Sequence, residues 1–75
     1  MVKVNVVNNV KRSSVIVDEN TTLRKVLTDE GIEINRGGIT LDGIPLQVGD
    51  LDKSFASLGL HTEASLFQVV KADNA

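Results

Sequence analysis

The sequence predicts a single α+β domain in which one short helix packs on one face of a mixed sheet of four to five strands. Val, Leu and Ile dominate its apolar residues, and β-branched side chains favour a pleated, half-buried surface. Apolar and polar residues alternate near the start of the chain, which is the period of a strand with one buried face. Between two strand-like regions, Leu23, Val26 and Leu27 recur at helical spacing. A chain of 75 residues has room for one domain with a modest core, read here as residues 1–71 followed by a loose tail at 72–75. Its 41% apolar and 24% charged content belongs to a folded domain, not a disordered one.

In the first strand Val2, Val4 and Val6 alternate with Lys3 and Asn5. Asn8-Asn9 turns the chain, because Asn tolerates left-handed backbone angles, and a second run from about Val10 to Val17 completes a hairpin. Thr21 or Thr22 then caps the helix by accepting a hydrogen bond from an amide of its first turn. The helix ends at Gly31, since glycine closes a helix in the left-handed conformation at no steric cost. At about eight to ten residues it is too short to persist alone and must lie on the sheet. Gly37-Gly38 leads flexibly into the strand Ile39-Thr40-Leu41, and Asp42-Gly43 signals a tight hairpin. Ile44-Pro45-Leu46 returns as a short edge segment, because Pro45 has no N–H to give a ladder. Val48-Gly49-Asp50 leads into Leu51 to Leu58, where Phe55 and Leu58 are spaced for one helical turn that Gly59 stops. The closing strand, Ser65 to Lys71, is expected centrally and parallel to the first, joining the two halves of the sheet.

Composition removes several classes of function. The chain has no cysteine, so disulfides and thiolate metal sites are excluded, and a cytoplasmic location is expected. No apolar run approaches the roughly 18 residues of a membrane span, and the alternating start lacks the apolar stretch of a signal peptide. Nucleic-acid binding needs a concentrated positive field, whereas this chain carries a net charge of −2. Lys11-Arg12 and Arg24-Lys25 are isolated pairs that read as solvated surface.

The run Ile39-Thr40-Leu41-Asp42-Gly43-Ile44-Pro45-Leu46, continuing through Gly49, Ser54 to Leu60 and Glu63-Ala64-Ser65-Leu66, resembles the second half of ubiquitin. The shared pattern is a strand, a tight turn ending in glycine, a leucine, a loop, a one-turn helix and a final strand. Val17, Thr22-Leu23, Val26 and Gly31-Ile32 are similar in order to its first half. The resemblance implies a β-grasp, ubiquitin-like fold, and it carries two departures. Ubiquitin and the small sulfur carriers end in Gly-Gly, whereas the sequence here closes with Lys71-Ala72-Asp73-Asn74-Ala75. The apolar patch by which ubiquitin is recognised corresponds to Thr40, Phe67 and Val69, of which Thr40 is polar.

The resemblance therefore implies a non-catalytic protein-interaction module, with Thr40, Phe67 and Val69 as the protein-binding residues and another protein as partner. The alternative is a carrier activated at its C-terminus by an adenylating enzyme. If Leu66 points inward, alternation puts Phe67 and Val69 on the solvent side and buries Gln68. A bulge or one-residue shift would instead turn Phe67 and Val69 inward, and the sequence leaves both readings open. No catalytic residue, cofactor or metal is expected. His61 reads as an exposed loop histidine without a nucleophile at dyad spacing. Asp42, Asp50, Asp52 and Glu63 match no calcium-loop spacing. Arg36-Gly37-Gly38 reads as backbone freedom ahead of a strand and not as a carrier motif. The polar edge from Lys11 to Ser14 discourages strand-to-strand association, so a monomer is expected.

Overall fold

The alternating valines form strand β1 (Val2–Val7), which pairs antiparallel with β2 (Arg12–Val17) in the register Val2 opposite Val17 and Val7 opposite Arg12. The computed structural model describes residues 1–9 and 11–70. Asn8 makes the turn twice over. Its N–H donates to the Lys11 carbonyl at 2.9 Å, and its Oδ1 accepts the Lys11 N–H at 2.8 Å. That turn delays β2 until Arg12, and Val10, where the pattern placed the start of the strand, lies outside the described residues.

Helix α1 (Leu23–Asp29) buries Leu23, Val26 and Leu27, and Thr22 Oγ1 caps it by accepting the Lys25 N–H at 3.2 Å. Gly31 follows at φ +76, the left-handed angle that lets the chain leave the helix. The helix has no acidic residue in its first turn and no basic residue in its last. Its Lys25–Asp29 ion pair, 3.0 Å, runs against the helix dipole. Helical propensity is therefore not what holds it. Packing does, together with a backbone bond from Leu23 N–H to the Lys53 carbonyl at 3.1 Å.

Strands β3 (Gly37–Leu41), β4 (Ile44–Pro45) and β5 (Glu63–Val70) complete a five-stranded sheet in the order β2-β1-β5-β3-β4. β5 runs parallel to β1 and antiparallel to β3, so the closing strand is central, as the pattern predicts. Asp42 and Gly43 both take positive φ, 51 and 88, which is the two-residue hairpin turn their identities signal. β4 is two residues long at one edge, in keeping with Pro45. The core lies between α1 and the inner face of the sheet, where Val2, Val4, Val6, Ala64, Leu66 and the fully buried Phe55 meet the helix residues.

Three expectations need correction. The helical turn expected at Phe55 to Leu58 is the 3₁₀ turn Ala56–Leu58, stopped by Gly59 as expected, but a second 3₁₀ turn, Val48–Asp52, stands where a plain turn was expected, with Ser54 bridged to Thr22 between them. The Phe55 N–H reaches the Thr21 carbonyl at 3.3 Å and the Ala56 N–H reaches Glu19 at 2.8 Å, so tertiary bonds pull this stretch out of a continuous helix. Gly37 and Gly38 are not a loose lead-in, because they sit in the β3–β5 ladder opposite Val70 and Val69. The last strand begins at Glu63, ahead of Ser65, because its pairing with β1 starts at Lys3. Its expected end at Lys71, and the tail 72–75, lie outside the described residues. A third 3₁₀ turn, Ile34–Arg36, was not legible in the sequence.

Candidate functional site

The ladders of β1–β5 and β3–β5 run without a bulge through the residues on which the site depends. Leu66 is fully buried, so strict alternation turns Phe67 and Val69 to the side away from α1. Phe67 is 45% exposed and Val69 62%, while Gln68 between them is 5% exposed. The buried glutamine has a partner: its Nε2 donates to the Glu33 carbonyl at 2.6 Å. A polar side chain is tolerated in this small core because the chain ahead of the 3₁₀ turn at Ile34 brings an acceptor to it.

Register then sets the neighbours on the outer face. Arg12, Val7, Phe67, Thr40 and Pro45 stand opposite one another across all five strands. Thr40, at the position the resemblance assigned to the patch, is directly beside Phe67 and half-buried. Gly38 faces Val69, and a Cβ placed on Gly38 would meet nothing within 4 Å, so the space beside Val69 is open. The three expected site residues therefore form one cluster. Val7, Arg12 and Gly38 join them, and sequence reasoning missed these because only the pairing of distant strands brings them there.

A polar band borders the cluster. Ser14 Oγ donates to Asn5 Oδ1 at 2.7 Å, and Asn5 Nδ2 donates to Glu63 Oε2 at 3.0 Å and to Ser65 Oγ at 3.4 Å. The band separates Phe67 from Ile16, an exposed aliphatic side chain farther along the same face. Between band and cluster lies a shallow depression of about 310 Å³, lined by Asn5, Val7, Arg12, Ser13, Ser14, Ser65 and Phe67.

Other candidate groups are dispersed. His61 is exposed, with Nδ1 3.3 Å from Glu19 Oε2. Asp42 Oδ1 accepts the Ser65 N–H at 2.9 Å and Glu63 holds Asn5. The Gln47 backbone N–H, and then the Lys53 amine, hold the Asp50 carboxyl below the usual carboxylate range. The Arg24 guanidinium, 2.7 Å away, does the same for Asp52. Each carboxylate is committed to its own partner, and no cation site gathers from such residues among those described. Among the described residues no helix is long and apolar enough to cross a membrane.

Compared with solved structures, the chain superposes on a ubiquitin from Caldiarchaeum subterraneum with TM-score 0.66 and 18% identity, covering 97% of this chain and 96% of that one. On the ubiquitin-like domain of an Arabidopsis thaliana protein the values are TM-score 0.67, 23% identity, and 99% and 81% coverage. The fold is the ubiquitin-like β-grasp. A second ubiquitin-like protein from the same hyperthermophilic archaeon matches with TM-score 0.59 and 18% identity over 93% of this chain and 96% of its own. No protein-family model matches the sequence, and no curated protein matches it. At these identities the likeness speaks of β-grasp architecture alone. Within that architecture Gly37-Gly38 is strand backbone, which removes the internal glycine pair as a flexible carrier segment.

Proposed function

We propose that the chain is a non-catalytic ubiquitin-like interaction module, docked by another protein on the outer sheet face around Phe67, Val69 and Thr40. The observation that carries this reading is the inversion at the end of β5. An aromatic and a valine are held in solvent while the glutamine between them occupies a core position. Exposed aromatic and aliphatic side chains on a rigid sheet are the material of a docking patch, and large aromatics concentrate binding energy. The reading makes the module a monomer in the cytoplasm. Its outer edges support that, with β2 beginning Arg12-Ser13-Ser14 and β4 short and proline-bearing, and the cysteine-free sequence suits a reducing compartment.

The test compares affinity capture from native lysate by the wild-type chain, Phe67→Ser and Ile16→Ser, with each fold checked by its amide NMR spectrum. Phe67→Ser is expected to keep the spectrum of a folded sheet and to weaken partner binding by about 30-fold or more, the loss of a central anchor. Ile16→Ser, beyond the polar band, is expected to bind as wild type. Partners retained equally by Phe67→Ser would overturn the assignment.

A further inference from the structure

The two edges of the sheet are unlike. β4 is two residues long and contains a proline, whereas β2 runs for six residues with a strand on one side only. The hairpin decides which backbone groups of β2 point to its open side. Asn8 and Lys11 are bonded across the turn, so by alternation Ser13, Val15 and Val17 turn their N–H and C=O towards β1. The Lys3 N–H, which reaches the Thr62 carbonyl on the other side of β1 at 2.9 Å, agrees with that phase. Arg12, Ser14 and Ile16 therefore turn their backbone groups outward, and all three residues are exposed. A row of such groups is a template for one more strand.

Charge decides which strand fits. Arg12 opens β2 and Asp18 follows its last residue, and among the described residues neither forms an ion pair within the chain. With opposite charges at its two ends, the edge is complementary to itself run in reverse. We propose that the occupant is a second copy of this chain, its β2 paired antiparallel to the first about a two-fold axis at Val15. Arg12 of each copy then lies opposite Asp18 of the other, Ser14 opposite Ile16, and Val15 opposite its own counterpart, the reciprocity a two-fold contact requires. The outward phase permits slides of two residues, but these set Arg12 opposite Ile16 or Asn20 and lose the charge match. The apolar side chains favour the same register. Val15, half-buried on the inner face, meets Val15, and Ile16, 68% exposed, lies diagonal to Ile16 across the axis, within reach of an aliphatic side chain. Lys11 and Glu19 also come opposite, although each has a partner in its own chain, Glu30 at 3.7 Å and His61 at 3.3 Å. The polar start of β2 thus turns away strands that bring no carboxylate to Arg12. One strand pairing is a small contact for a dimer, so the pairing belongs to high concentration and the monomer proposed above is the dilute form. It leaves Phe67 and Val69 uncovered and does not depend on the docking function.

The test follows the ¹⁵N-labelled chain from about 0.01 to 2 mM by sedimentation and by its amide spectrum, alone and with charge-swapped variants whose folds the spectrum checks. The sedimenting mass of the wild type is expected to rise towards that of a dimer while the amide signals of Arg12, Ser14 and Ile16 shift and those of Phe67 and Val69 stay in place. Arg12→Asp and Asp18→Arg should each weaken the association by about 10-fold or more, because like charges then face each other at both ends. Mixed in equal amounts, the two variants should regain the wild-type affinity to within a few-fold, since each supplies the charge the other lacks. The association of the wild type should weaken between about 0.05 and 0.5 M salt. A mixture of ¹³C-labelled and unlabelled wild-type chains should show contacts between the Val15 methyls of the two copies, a readout that needs no variant. A constant mass up to the highest concentration overturns the proposal. So do association without rescue in the mixed variants, absence of the Val15 contact in a sample that sediments as a dimer, and concentration-dependent shifts centred on Phe67, which would move the contact to the outer face.

Discussion

The two faces of β5 make an instructive pair. One turns Ala64, Leu66 and Gln68 inward, and the other presents Ser65, Phe67 and Val69 on the outer side. Hydropathy alone would exchange Gln68 for Phe67. What decides the arrangement is register, which β1 and β3 hold from both sides, and a backbone acceptor waiting at Glu33 for the one polar side chain turned inward. A strand clamped between two others cannot slip to suit a single residue, because a slip would reverse every side chain along it. The apolar groups left outside are therefore a property of the whole sheet, and that makes them informative about binding.

The widest separation between the faces should appear in stability. Leu66→Ala removes a fully buried side chain and is expected to cost about 2–5 kcal/mol. Phe67→Ala, one residue on, should cost less than about 1 kcal/mol. Urea unfolding of the two variants measures the contrast, and equal losses would place Phe67 in the core. Gln68→Ala sharpens the contrast from the inner side. It removes the side-chain donor to the Glu33 carbonyl, which keeps the Arg36 N–H at 3.2 Å, and is expected to cost about 0.5–1.5 kcal/mol, read by the same melts.

The smallest effect is a control away from β5, in the turn that Asp50 ties together. Its carboxyl is held below the usual range by the Gln47 N–H and then by Lys53. A carboxylate depressed in the folded state adds stability above its unfolded pKa, about 3.9, and that stability is lost as pH falls through the lower folded value. Urea midpoints measured down from about pH 5 should fall less steeply for Asp50→Asn than for wild type. A slope unchanged by the substitution would remove the turn as a source of acid sensitivity.

How far these features could be read in advance follows from the distance over which each is determined. The valine alternation in β1, the Thr22 cap, the leucine spacing of α1 and the Asp42-Gly43 turn are decided within a few residues, and their identities announce them. The turn at Ala56–Leu58 was legible from Phe55, Leu58 and Gly59, but the bonds from Phe55 and Ala56 to the carbonyls of Thr21 and Glu19, which break the stretch ahead of it, are displayed by no local pattern. At the site, Phe67 and Val69 were legible as outward only if the ladder ran unbroken. Arg12 and Val7 were not legible as their neighbours, because the pairing of β1 with β5 joins them from opposite ends of the chain. Gln68 looked misplaced until the segment at Glu33 supplied its acceptor.

The parallel pairing of β1 with β5 also governs the order in which the molecule can be made. The β1–β2 hairpin and the β3–β4 hairpin touch no common strand except β5, which is translated last of the five. Without β5 the two hairpins would share no strand and would leave their inner edges uncovered, the state in which strands invite wrong partners. Pairing of β5 closes both edges at once, so the outer face around Phe67 exists only when the whole sheet has formed.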